Sequence, residues 1–162
     1  MKTFEDPMWR DLMHVKRWAI VHTSRRQSVA EHAFCVTMLM EGLCKKLGEP
    51  ITIEMMRYAL FHDNYEIHTG DIPSPIKKEI EFVDPLAIEL TLPLNPRQVV
   101  ILKLCDLMEA VMFMREEYSI GNTRVLPIID ELMDRIRISA EWSTDIACAV
   151  DDMVEIHQEY KG

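Results

Sequence analysis

At 162 residues the chain is long enough to bury one real core without disulfides or a structural metal. With 48% apolar residues it is not a disordered polymer, and its formal net charge of −9 argues against broad nucleic-acid binding, which needs lysine and arginine to release phosphate counterions. A small anion remains compatible, because one pocket can be basic on an acidic molecule.

The opening MKTFEDPMWRDL puts acidic residues where a signal peptide needs a basic and then an apolar stretch. No apolar run approaches membrane-spanning length. Cys35, Cys44, Cys105 and Cys148 are scattered without a CxxC pair and read as free thiols in a reducing cytosol. A cytoplasmic protein without membrane or nucleic-acid partners is expected. Ser28, followed three residues later by Glu31, predicts a capping box. Val29, Ala33, Val36, Met40, Leu43 and Leu47 then recur at helical spacing until Gly48 and Pro50 stop them. A second helix begins near Thr52 and runs through Met55, Met56, Ala59 and Leu60 into Phe61-His62-Asp63.

Thr69 to Pro75 reads as a loop, with Ser74 and Pro75 as cap and first turn of a short helix carrying Lys77. Glu89-Leu90-Thr91-Leu92 is too short to found a sheet. Asn95-Pro96 opens a helix whose inner stripe includes Val99, Leu102, Asp106, Ala110 and Phe113, and which Gly121 ends. The tail from about 127 to 160 is predicted helical, with an interruption near 139 to 143. No repeat or linker divides the chain. The expectation is a single all-α domain over 1–162.

Polar groups inside apolar helical faces carry the chemistry. His32 shares its face with Val36, Leu39 and Leu43; His62 and Asp63 close an apolar helix; Asp106 lies between Leu102 and Ala110. A buried, unpaired carboxylate is costly, so Asp63 and Asp106 each need a cation or strong donors. Two imidazoles and two carboxylates from three helices can hold a divalent ion with positions open for water and a phosphate oxygen. Taken singly, each is equally compatible with a hydrogen-bonded core residue. His14, His22, His68 and His157 have no partner at metal spacing that improves on this set, and Cys105 has no histidine to make it a nucleophile.

The order His32, then His62-Asp63, then Asp106 resembles the HD phosphohydrolase superfamily. The string ALFHDNYEIHTGDIPSPIK from Ala59 to Lys77 is similar to the YfbR-type 5′-deoxynucleotidases and their phage relatives, the dATP triphosphohydrolases. Arg17-Trp18, Ala30-Glu31-His32 and LKLCDLMEA from Leu102 to Ala110 extend the likeness over about residues 17 to 113. The resemblance implies a compact HD-domain helical bundle. It makes His32, His62, Asp63 and Asp106 the ligands of a divalent transition metal, whether zinc, cobalt or manganese, with a second ion such as magnesium able to accompany the nucleotide.

It also makes Glu66 the residue that orients or deprotonates water. Glu66 stands four residues after His62, one turn on if the helix continues, and is otherwise a surface residue past a helix end. Asp71 could bond a sugar hydroxyl or a second metal-bound water, or be an ordinary turn aspartate. Arg17 and Lys77 align with phosphate-binding positions. Trp18 offers a face to a base or to the core. Ile20 would set the pocket's width and, having no partner for an exocyclic 2-amino group, favour adenine.

The Arg17 to Gln27 stretch resembles the phage proteins more than the bacterial ones. That favours hydrolysis of dATP to deoxyadenosine and triphosphate over hydrolysis of deoxynucleoside monophosphates. A catalytically inactive nucleotide-binding regulatory module is the rival from another class. The resemblance further implies a small-molecule deoxynucleotide partner, a homo-oligomer and, for a phage-encoded chain, the host cytoplasm.

Overall fold

A computed structural model describes residues 7–79 and 94–159. The protein is all-α. A 3₁₀ helix, Pro7–Met13, leads into α1, Val29–Leu47, and α2, Ile53–Phe61. Two short helices follow: α3, Glu66–Thr69, and α4, Ser74–Glu79. The long α5, Pro96–Ser119, is joined through a 3₁₀ turn, Thr123–Val125, to α6, Leu126–Ala140, and α7, Thr144–Glu159. Among the described residues extended pairing is limited to one isolated bridge, Lys16 to Ser28. No described helix is long and apolar enough to cross a membrane.

Local chemistry sets these boundaries. Ser28 accepts from the Glu31 N–H while Glu31 reaches back to the Ser28 N–H, the expected capping box. At the other end Gly48 takes the left-handed conformation, φ 67°, and Glu49 N–H donates to the Cys44 carbonyl at 2.9 Å, closing α1. Asn95 and Gln98 make a second capping box at the head of α5, with Pro96 in its first turn. The predicted break in the tail falls at Glu141 to Ser143.

Helix α5 is the spine. Its buried residues, from Ile101 to Glu117, include side chains on every face, as expected of a helix enclosed by others. It packs chiefly on α6 and α1, with α2 and α7 completing one continuous apolar core. In that core Met40, Leu43, Met55, Leu104, Met108 and Met114 are fully buried.

Helix α2 ends at Phe61 with His62 as its C-cap, where the sequence placed its end, so the continuation that would set Glu66 one turn past His62 does not occur. Tighter i to i+3 bonds follow, Asn64 N–H to Phe61 and Glu66 N–H to Asp63, until α3 begins at Glu66 itself. At about three residues per turn Glu66 aligns with Asp63 rather than with His62. The short stretch Glu89 to Leu92 lies outside the described residues.

Candidate metal centre and adjoining cavity

His32 projects from the second turn of α1, His62 and Asp63 from the end of α2, and Asp106 from the middle of α5. Their side chains converge. His32 Nε2 stands 3.3 Å from His62 Nε2, 3.1 Å from Asp106 Oδ1 and 3.8 Å from Asp63 Oδ2. His62 Nε2 is 3.4 Å from Asp63 Oδ2. Ligands bound about 2.1 Å from a shared ion stand roughly 3.0–3.4 Å apart, so His32, His62 and Asp106 suit the edges of a coordination shell, whereas Asp63 stands farther off and falls outside that tight group.

The hydrogen bonds behind the imidazoles make the fit chemical as well as spatial. His62 Nδ1 lies 3.0 Å from the Ala59 carbonyl, which can only accept, so that nitrogen carries the proton. His32 Nδ1 meets the Glu109 carboxylate in the same way. With the proton on Nδ1, each ring would have an Nε2 lone pair available to a divalent cation. Asp106 is held well below the usual carboxylate range: burial opposes its ionisation, but the bond from His32 and the nearby positive charge outweigh it. His32, wholly buried, titrates above its ordinary value. Burial and Arg17 oppose its protonation, and Asp106 and Glu109 prevail.

Beside Asp63, Glu66 is 1% exposed. Oε1 accepts from Lys77 Nζ at 3.2 Å and from the Tyr65 hydroxyl at 3.4 Å; Oε2 is buried with no partner among the described residues. Burial, then the charge of Asp63, push this carboxyl up to about 8 against the pull of Lys77. Lys77 also donates to the Tyr65 hydroxyl at 2.6 Å, and these two partners raise its ammonium above its ordinary value despite burial. The expected phosphate lysine is thus tied to Glu66 and anchors it.

The centre opens into a cavity of about 280 Å³ lined by Arg17, Trp18, Ile20, Asp71 and Asp106 on one side. Its far wall comes from α6, with Ile128, Glu131, Leu132 and Arg135. Arg17 is half-buried, and its Nη1 donates to Glu109 Oε2 at 3.0 Å and to Gln27 Oε1 at 3.2 Å. Trp18 sits in the left-handed region, φ 64°, strained for a side chain of its size. Three contacts hold it there. Its N–H donates to Asp71 Oδ2 at 2.8 Å, its indole N–H to Gln27 Oε1 at 3.2 Å, and its ring stacks parallel on Phe113, centroids 6.1 Å apart. One face of the indole is thus already occupied. Asp71 has a positioning role as well as a place in the cavity wall. Ile20, 70% exposed, stands at the mouth.

Three buried polar residues of the site escaped the sequence reading: Gln27, Glu109 and Glu117. Glu117 pins the loop that carries Ser24 and Arg25, accepting from the Ser24 N–H and hydroxyl, each at 2.7 Å, and from Asn122 Nδ2 at 3.2 Å. Burial opposes its charge, but these bonds hold its carboxyl below the ordinary 4.5. Its contribution is therefore present above that pH and is lost as acid titrates the folded protein. Glu117→Ala is expected to lower stability at pH 7 by about 2 kcal/mol, or roughly 4–8 °C in Tm. The deficit should shrink below pH 4.5 in thermal scans.

Comparison with known proteins adds the following. The family model for 5′-deoxynucleotidase YfbR-like proteins matches residues 7–84. The dATP triphosphohydrolase of Cyanophage S-2L is 34% identical over 113 residues, covering 63% of this chain and 65% of that protein. The enzyme of the same name from Acinetobacter phage SH-Ab 15497 is 34% identical over 135 residues, covering 66% of each. The chain thus spans just under two thirds of the length of these curated relatives. Among solved structures, the Cyanophage S-2L HD phosphohydrolase DatZ, bound to dA and one catalytic Zn2+ ion, superposes with a TM-score of 0.79. That match is 25% identical and covers 94% of this chain and 95% of the other.

Proposed function

We propose that the chain is a member of the HD-domain, YfbR-like family and a metal-dependent phosphohydrolase that cleaves a deoxynucleotide at its 5′-phosphoryl group, with dATP as the favoured substrate. One observation carries this reading: two imidazoles and the Asp106 carboxylate converge, with Asp63 alongside, near a buried Glu66 oxygen that has no partner among the described residues. The presence of all five groups weighs against an inactive binding module.

His32, His62, Asp63 and Asp106 would hold a divalent ion, zinc, cobalt or manganese, with magnesium able to accompany the nucleotide. When bound, the ion supplies Lewis-acid polarisation of a phosphoryl oxygen and an acidified water. The protein's own groups do the rest. Glu66 offers Oε2 to the attacking water and takes its proton as the water oxygen bonds to the α-phosphorus. The phosphorus–O5′ bond breaks, and the departing 5′-oxygen receives the proton that Glu66 took from water. Lys77 keeps Glu66 in place through Oε1. Arg17 offsets charge on the phosphoryl oxygens from the cavity wall. Asp71, with Oδ2 given to Trp18, offers its other oxygen to the sugar, and the aliphatic wall of Ile20, Val21, Leu107 and Ile128 encloses the nucleoside. Assembly into a homo-oligomer belongs to the same reading, with exposed Phe34 and Met38 of α1 as an apolar surface.

A second reading is hydrolysis of deoxynucleoside monophosphates. It is favoured by the description of the matching family model, and by the engagement of Arg17 and Lys77 with carboxylates, which leaves less free positive charge for a triphosphate. Product analysis decides between the two. The purified protein is incubated with dATP, dAMP, dGTP or ATP, each with cobalt, manganese, zinc or magnesium. Deoxyadenosine with intact triphosphate is the expected outcome. Phosphate from dAMP with dATP untouched would make it a monophosphatase, and no turnover with any metal would sink the enzyme.

A further inference from the structure

Glu109 is a buried carboxylate to which the reaction scheme gives no step. It sits one turn beyond Asp106 on α5, and every partner it has belongs to the site. One oxygen meets His32 Nδ1 and Arg17 Nη1; the other accepts from Gln27 Nε2, which in turn leaves Gln27 Oε1 for Arg17 and the Trp18 indole. Burying such a charge is costly, and an apolar side chain of similar volume would serve packing as well. We propose that Glu109 is a positioning residue with two outputs. It fixes His32 as an Nε2 donor to the divalent ion, and it holds the Arg17 guanidinium at the cavity wall for the substrate phosphate. The inference rests on the reading of His32 as a metal ligand.

The first output follows from the tautomers of imidazole. A neutral ring carries one N–H, and its place is set by the group each nitrogen faces. Glu109 can only accept, so it draws the proton to Nδ1 and leaves the lone pair on Nε2, among His62, Asp63 and Asp106. Arg17 Nη1 stands 2.6 Å from the same Nδ1 and can only donate. Without Glu109, Arg17 becomes the partner of Nδ1. The ring proton then moves to Nε2, where Asp106 Oδ1, 3.1 Å away, accepts it. That tautomer has no lone pair for a cation.

The second output follows from charge. Glu109 forms the ion pair of Arg17, while Asp106, Asp63 and Asp71 attract the guanidinium from farther away. Released from Glu109, Arg17 is drawn toward carboxylates that the ion and the sugar need.

The test is a zinc titration against a chromophoric chelator, on the purified chain and without nucleotide. Glu109→Gln keeps the shape and is expected to weaken zinc binding 10- to 100-fold. Arg17→Gln, which leaves the His32–Glu109 bond in place, should bind zinc within about threefold of the parent while raising KM. The double variant separates positioning from mere neutralisation of a half-buried guanidinium. With Arg17 no longer facing Nδ1, it should regain thermal stability and bind zinc more tightly than Glu109→Gln, yet below the parent, because no acceptor holds the proton at Nδ1. Zinc affinity within threefold of the parent in either Glu109→Gln or the double variant would overturn the proposal. Should Glu109→Gln not fold, the double variant and Glu109→Asp, expected to retain part of the affinity, carry the same comparison. A parent chain that binds no divalent ion would instead sink the metal reading itself.

Discussion

Glu66→Gln is expected to keep its metal and lose turnover, with kcat falling by about 10²–10⁴-fold and KM changing little. The amide preserves the shape of a side chain that is 1% exposed, and its oxygen can still accept from Lys77. What it cannot do is take a proton at the position of the partnerless Oε2. The same substitution should stabilise the metal-free protein. The folded carboxyl is pushed up to about 8 from an ordinary 4.5, so its contribution to stability is fully present below pH 4.5 and is lost as pH rises through 8. The variant escapes that loss. Its advantage over the parent should open between pH 4.5 and 8 and stay level above, in thermal scans with chelator present. A variant with normal turnover removes Glu66 from the reaction.

Asp106→Ala is expected to abolish metal retention and, with it, activity. Losing the several kcal/mol of transition-state stabilisation that a Lewis acid supplies corresponds to about 10³-fold or more in rate. Asp106 gives an oxygen to the centre from the spine of the fold, where no neighbouring acid can replace it without leaving its own partner: Asp71 is committed to the Trp18 N–H and Glu109 to His32. The parent should also depend on its ion for stability, because the ligands come from α1, the end of α2 and α5, and an ion present at about 100 times its Kd adds about 2.7 kcal/mol. Chelation should therefore lower Tm by roughly 5–10 °C in the parent and hardly at all in Asp106→Ala. Metal analysis of the variant together with paired melting curves checks both halves.

What the sequence made legible was what is decided locally. The starts of α1 and α5 follow from Ser28 with Glu31 and from Asn95 with Pro96, side chains that bond within three residues of themselves. The placement of His32 and Asp106 on inner faces followed from helical periodicity, and their convergence with His62 and Asp63 from the resemblance. The path to Glu66 stayed open in the sequence because a helix that tightens after Phe61 differs from one that continues only in its hydrogen bonds, which composition does not reveal. Glu109 and Glu117 were missed for a different reason. Helix α5 is buried on every face, so its pattern has no polar stripe from which an exceptional carboxylate could stand out. Their partners are 77 and 93 residues away in the chain. The one available signal was a second acid one turn past Asp106 within an otherwise apolar run. Nothing in the string Arg17-Trp18-Ala19 announced a tryptophan at positive φ, since three distant contacts impose it.

The far wall of the cavity belongs to α6, whereas every group assigned to the chemistry lies at or before residue 109. Part of the cavity wall is therefore encoded apart from the groups assigned to the chemistry. A change at Ile128, Glu131 or Arg135 alters the shape and polarity of the cavity without touching any of those groups. Mutation in α6 can vary this wall while α1, α2 and α5 stay fixed, so the cavity can be reshaped by exchanging one helix.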